Sequence, residues 1–242
     1  MIIQACLNGA RPGDFHHQLP LTAEAMARDG ALCIAAGAAE LHIHPRGLHG
    51  RESLAAVDAT VAAVRRACRG TPVGVSTGAW IENDEKETRK AIAGWKELPD
   101  YASVNLSESD APAVMELLWQ RQVGIEVGIT SVADAERFLG LSDHGRIFRI
   151  LIEMNEQGLD AARKLMDRIV AMLDRASVQQ NILLHGFNAT VWPFVTLARQ
   201  RQSSTRVGLE DGKHLPDGTI ASGNAALVAA AAEIFGSERY LE

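Results

Sequence analysis

The chain has 242 residues, 47% hydrophobic and 22% charged, a balance that suits a folded globular protein large enough for one α/β barrel or two small domains. A formal charge of −6 argues against the basic face that non-specific nucleic-acid binding needs. No apolar stretch is long enough to span a bilayer and no signal-like segment is recognised, while Cys6, Cys33 and Cys68 lack metal-type spacing and fit buried thiols in a reducing cytoplasm.

Short β-branched runs alternate with longer amphipathic ones along the whole chain. The predicted strands are Ile2–Leu7, Glu40–His44, Pro72–Ser76, Tyr101–Asn105, Val123–Val127, Arg146–Ile152, Asn181–Leu184 and Thr205–Leu209. Pro20 and Thr22 announce the first helix, with Thr22 as its N-cap. Leu54, Val57, Val61 and Val64 recur at helical spacing after the second strand, as do Leu165, Ile169, Met172 and Leu173 after the sixth. Gly70 and Gly140 punctuate helix ends. Eight strand–helix repeats with no composition shift predict a single (β/α)₈ TIM barrel over residues 1–242, with an open doubly wound sheet as the structural alternative. The first strand–helix turn reads Asn8-Gly9-Ala10 and carries no dinucleotide-binding glycine pattern.

Barrel enzymes place their chemistry at the carboxyl ends of the strands. Here that rim is expected to collect Asn8, His42 and His44, Ser76 and Thr77, Asn105, Glu126, Glu153, His185, and Glu210 with Asp211, above strand bodies that read as apolar. His42 and His44 are two apart on a strand, so both imidazoles project to one side. Two histidines and an acidic residue form a recurring open catalytic zinc arrangement, and Glu210 is the candidate third ligand. Arg206, Gly208 and Glu210 share strand parity, whereas Asp211 joins them only if the strand has already ended. An ion pair with a basic residue is the structural alternative for Glu126 and Glu153. His16 and His17 read as solvated, and Arg46 as either a site residue or an exposed loop cation. No cysteine sits beside an evident base, so a thiol nucleophile is not expected.

In this order the residues resemble the β-keto acid cleavage enzymes. The resemblance rests on Asn8-Gly9-Ala10, Leu19-Pro20-Leu21-Thr22, Ala35-Ala36-Gly37-Ala38, His42-Ile43-His44-Pro45-Arg46, Ser76-Thr77-Gly78, Asn105 and Glu126. It ends with Arg206-Val207-Gly208-Leu209-Glu210-Asp211 and Ala221-Ser222-Gly223-Asn224-Ala225-Ala226-Leu227-Val228. It implies a TIM barrel that binds zinc or another divalent metal through His42, His44 and Glu210. The implied reaction joins a β-keto acid with acetyl-CoA to give acetoacetate and a new acyl-CoA. Arg206 and Asp211 would activate the keto acid, with Asp211 as base. Ser76 and Glu126 would also belong to the catalytic set, and Asn105, Thr77 and Arg46 would bind substrate. The resemblance further implies a homo-oligomer. Arg11 and Gly47 stand where the family pattern has acidic residues. Glu126 and Glu153 would give the pocket a negative lining suited to a cationic substrate group. The competing reading is a metal-dependent hydrolase or carbon–carbon lyase that uses the same barrel without CoA.

Overall fold

A computed structural model describes residues 1–236; residues 237–242 of the predicted domain lie outside them. Among the described residues, eight parallel strands alternate with eight α-helices. The strands are β1 (Ile3–Cys6), β2 (Glu40–Ile43), β3 (Val73–Ser76), β4 (Tyr101–Asn105), β5 (Gly124–Ile129), β6 (Arg149–Met154), β7 (Ile182–Gly186) and β8 (Thr205–Val207). The helices are α1 (Ala23–Ala35), α2 (Val57–Ala67), α3 (Glu85–Gly94), α4 (Ala111–Gln120), α5 (Val132–Leu139), α6 (Leu159–Arg175), α7 (Val191–Gln200) and α8 (Asn224–Gly236). Neighbours in sequence are neighbours in the sheet, and β8 returns beside β1. A parallel bridge between Leu183 and Ser204 joins β7 to the segment entering β8, with Leu184 N donating to Ser204 O at 2.9 Å. The sheet therefore closes as a (β/α)₈ barrel, and the open-sheet alternative does not hold.

Local chemistry accounts for the helix starts. Thr22 accepts from Ala25 N, as predicted, while Asp84 caps α3 and Ser131 caps α5 in the same way. Val57, Val61 and Val64 of α2, and Ile169 and Leu173 of α6, turn their apolar stripes onto the outer face of the strands.

The strand bodies are not apolar on the inside, contrary to expectation. Gln4, Glu40, Tyr101, Glu126 and Arg149 all point into the barrel and are buried. Arg149 Nε donates to Glu126 Oε2 at 2.5 Å, and Arg149 Nη1 bonds Glu40 Oε1. Gln4 Nε2 donates to Tyr101 Oη at 2.8 Å and to Glu126 Oε2 at 3.0 Å, and Tyr101 donates on to Leu41 O at 2.9 Å. The Tyr101 ring occupies the space that Gly74 leaves free, since a Cβ there would lie 2.0 Å from it. Burial pushes the Glu126 carboxyl up, but the charge of Arg149 outweighs it and holds it below the usual range. Arg149 is shared by both carboxylates of this layer, and such pairing is the condition under which buried ions are tolerated.

Six of the eight strand ends differ from prediction, and those of β5 and β8 bear most on the site. β5 runs on to Ile129, so Glu126 is a mid-strand residue rather than a rim residue. β8 stops at Val207, two residues early, because Asp211 N and Gly212 N both turn back to Gly208 O at 2.9 and 3.0 Å. That turn presses Gly208 against β1, and Asn224 clamps it. Asn224 Oδ1 accepts from Leu209 N at 2.6 Å, while its Nδ2 donates to Leu7 O at 2.8 Å and to Asp29 Oδ2 at 2.6 Å.

Candidate metal centre and active site

The early end of β8 resolves the parity question, because Glu210 and Asp211 lie on a turn and both swing inward. Glu210 comes to face His42 and His44 at the end of β2. Gly9 makes room for it by adopting φ +52°, and a Cβ there would sit 2.4 Å from Glu210 Cγ. Asn8 fixes the backbone opposite. Its Oδ1 accepts from His44 N at 3.0 Å, and its Nδ2 donates to His44 O at 2.9 Å and Pro20 O at 3.1 Å.

Among the described residues, His42, His44 and Glu210 form the acidic–histidine cluster able to hold a metal, with one ligand atom from each within 4.8 Å of the others. His42 Nε2 and His44 Nε2 are 3.3 Å apart, and His44 Nε2 is 3.3 Å from Glu210 Oε1. Two ligands about 2.05 Å from a tetrahedral ion stand roughly 3.3 Å apart, so both separations match a zinc-like centre. The donor set, two neutral-capable nitrogens and one carboxylate with no fourth protein ligand, fits an open catalytic ion. Glu210 Oε2 and His42 Nδ1 are buried without hydrogen-bond partners. Burial drives the His42 imidazole down to about 4, with the charges of His44 and Arg206 adding to the effect, so His42 is neutral and ready to ligate. For His44, burial also acts downward, but the charge of Glu210 and hydrogen bonds to Glu210 and Glu52 lift it to about 9. A proton thus occupies the place between Nε2 and Glu210 that a cation would take, and metal binding would release it.

Arg206, 2% exposed, donates through Nη2 to Glu210 Oε1 at 2.8 Å and Asp211 Oδ1 at 2.9 Å. Glu153 Oε2 lies 3.9 Å from the same nitrogen and 3.3 Å from His185 Nε2. His185 Nδ1 is 3.5 Å from Asp211 Oδ1, so the imidazole stands between two carboxylates. Burial alone would raise Glu153, but His185 and Arg206 bring it below the ordinary carboxylate value.

Above the cluster opens a cavity of about 490 Å³. Its lining includes His42, His44, Ser76, Ser103, Asn105, Glu153, Arg206 and Glu210, and also Arg11, Trp80, Leu151, Gln157, Phe187 and Asn188. Of the ten residues singled out in the sequence as metal-, substrate- or catalysis-related, six face the cavity, namely His42, His44, Ser76, Asn105, Arg206 and Glu210, and the other four do not. Thr77 is turned away, its hydroxyl donating to Ser103 O at 2.7 Å. Arg46 lines not this cavity but a neighbouring one that shares Arg11 and Trp80, and it is no free loop cation; it holds Gly50 O at 3.0 Å and Arg11 O at 3.1 Å, and also Gly9 O. Glu126 belongs to the interior ion layer, so the ion-pair alternative describes it and the negative lining expected from it is lost. Asp211 is fully buried behind Arg206, with Oδ2 accepting from the Cys6 thiol at 2.9 Å.

That contact also corrects the reading of the cysteines, because Cys6 does sit beside a potential base. Burial and the Asp211 charge push its thiol well up, which keeps it protonated. His16 is buried rather than solvated, within 3.0 Å of Ala221 O. Arg11 occupies the cavity mouth, donating to Glu210 O at 2.9 Å and Asn188 Oδ1 at 3.0 Å.

Sequence reasoning missed Glu52, Trp80, Glu40 and Arg149. Glu40 shares parity with His42 and His44, and Arg149 with Glu153, so strand period alone would have turned both inward. Glu52 carries no such signal; it reaches His44 because the chain doubles back, with Arg46 bridged to Glu52 and Gly47 N donating to Arg51 O at 2.8 Å.

The profile of the beta-keto acid cleavage enzyme family matches residues 1–238. Among curated proteins there is no match. Among solved structures, the ternary complex of ObcA with a C4-CoA adduct and oxalate superposes with a TM-score of 0.73 at 17% identity, over 89% of this chain and 63% of that one. Apo ObcA gives a TM-score of 0.67 at 17% identity over 89% and 61%. A type I 3-dehydroquinate dehydratase from Clostridium difficile gives 0.63 at 10% identity over 97% and 92%. At these identities the likeness is one of fold, and the chain spans about three fifths of the length of the ObcA chains. Among the described residues, no helix is long and apolar enough to cross a membrane.

Proposed function

The chain belongs to the beta-keto acid cleavage enzyme family, and from that premise we propose that it exchanges acyl groups between a β-keto acid and acetyl-CoA. The acetyl group moves onto the carbon between the two carbonyls of the keto acid, and the acyl group it replaces leaves on CoA. The products are acetoacetate and a new acyl-CoA. The observation that carries the reading is the cavity floor, where His44 stands 3.3 Å from both His42 and Glu210 and the three adjoin a buried arginine. ObcA, of the same fold, has been seen with a C4-CoA adduct, which is consistent with thioester chemistry at such a barrel mouth.

His42, His44 and Glu210 would hold the divalent ion, whose Lewis acidity at the keto oxygen would ease loss of a proton from the adjacent carbon. Arg206 presents a fixed cation at the same wall and would grip the substrate carboxylate. Ser76 and Asn105 offer hydroxyl and amide groups to orient the keto acid. We assign the proton transfer to Glu153 rather than Asp211. Glu153 lines the cavity, whereas Asp211 lies behind the guanidinium and serves to balance its charge and to face His185. Leu151 and Phe187 give the far wall an apolar surface for the substrate's side chain.

Zinc-loaded protein incubated with acetyl-CoA and a pooled panel of β-keto acids is expected to yield a new acyl-CoA together with acetoacetate, read by mass. Zinc-replete protein that forms neither, but hydrolyses or cleaves the keto acid alone, would move the assignment to a CoA-independent hydrolase or lyase. The base is tested in D₂O. Glu153→Gln should slow deuterium uptake between the carbonyls by roughly 10²-fold or more. Uptake at the wild-type rate in that variant, with loss in Asp211→Asn, would return the base role to Asp211.

A further inference from the structure

His44 is held from behind as well as from the cavity. Its Nδ1 lies 2.5 Å from Glu52 Oε1, and the other carboxylate oxygen of Glu52 accepts from Trp80 Nε1 at 2.9 Å. Glu52 is largely buried, at 9% side-chain exposure, while Trp80 is 45% exposed. Of the four tryptophans, Trp80 alone is among the residues lining the cavity. Its ring lies over Gly78, where a Cβ would come within 2.3 Å of it. The indole thus has one edge in the cavity wall and its N–H on the carboxylate that backs the candidate ligand.

We propose that Glu52 and Trp80 are positioning residues that form a relay from the cavity wall to the metal centre. The inference rests on the reading of His42, His44 and Glu210 as metal ligands. A carboxylate on Nδ1 keeps the proton there, leaves the Nε2 lone pair free for an ion, and fixes the ring plane. A carboxylate held by one partner alone can rotate about its last bond. The donor on its second oxygen removes that freedom, and here the donor is Trp80. Trp80 therefore acts on the metal only through Glu52.

The test is zinc affinity by competition with a chromophoric chelator, together with the visible absorption of the Co²⁺ form. Glu52→Gln should weaken zinc binding by about 10- to 100-fold, the usual effect of losing such a partner. Trp80→Phe should weaken it by roughly 5- to 10-fold, the worth of one ordinary hydrogen bond, because the effect reaches the ion only through Glu52. The double variant should bind no more weakly than Glu52→Gln alone, because removal of Glu52 leaves Trp80 nothing to act on. The Co²⁺ bands should shift in both single variants while the thermal unfolding of the metal-free proteins stays put. Wild-type affinity in the variants, or losses that multiply in the double variant, would overturn the relay and leave the metal site standing. Wild-type protein that binds neither ion would overturn the site and the relay together. Trp80→Phe changes a half-exposed side chain and decides the matter by itself if Glu52→Gln does not fold.

Discussion

Replacing His44 with alanine is expected to abolish tight zinc binding and, with it, acyl exchange. The side chain lies 3.3 Å from each of the other two candidate ligands, His42 Nε2 and Glu210 Oε1, so its loss leaves two groups with no shared partner. Structural zinc sites gain about 10–16 kcal/mol from four ligands, so one ligand carries about 3–4 kcal/mol, or roughly 10²- to 10³-fold in affinity. The substitution also strands carboxylates on both sides, since Glu52 and Glu210 each lose their contact with the imidazole. Chelator competition and the thioester assay should fall together. A variant that keeps wild-type zinc affinity would show that the ion, if any, is bound elsewhere.

The second large effect is expected at Gly208. A Cβ at this position would lie 1.9 Å from Cys6 O, 2.7 Å from Cys6 C and 2.9 Å from Asn224 Oδ1. The first two are backbone atoms of β1, so no side-chain rotation relieves the clash. Gly208→Ala must push the turn that follows β8 off β1, and should cost about 3–5 kcal/mol, a large share of the stability of an ordinary domain. It should also displace Glu210 and Asp211, which depend on the turn that follows. Urea unfolding measures the first effect and zinc affinity the second. Gly94→Ala is the control, because a Cβ there meets nothing within 4 Å at the end of α3. Equal midpoints for the two variants would contradict the close approach of Gly208 to β1.

Much of this arrangement was legible beforehand. Each of the eight predicted strands overlaps an observed one, since apolar β-branched runs between turn signals are a local property. The His42–His44 pairing follows from strand period, and Thr22 from capping chemistry. Other features depend on neighbours distant in sequence. β8 ends early because Gly208 meets β1 and Asn224 grips Leu209, and neither contact leaves a trace within 205–211. Glu126 reads as a rim residue only when β5 is cut short; its pairing with Arg149 comes from the register of β5 against β6, in which the two are Cα partners. Glu52 is invisible for the same reason. Its role comes from a backbone reversal that returns it to His44, eight residues earlier.

The ion layer beneath the cavity has a mechanical consequence. Arg149 on β6 bonds Glu40 on β2, and Gln4 on β1 bonds Glu126 on β5, so each contact crosses the lumen between strands that are not neighbours in the sheet. They act as spokes. A wheel braced at its hub keeps its shape when parts of its rim are exchanged. The loops that carry Arg11, Trp80 and Gln157 can therefore vary in length and chemistry from one relative to another, while β2 and β8 still deliver two histidines and a glutamate to the same point in space.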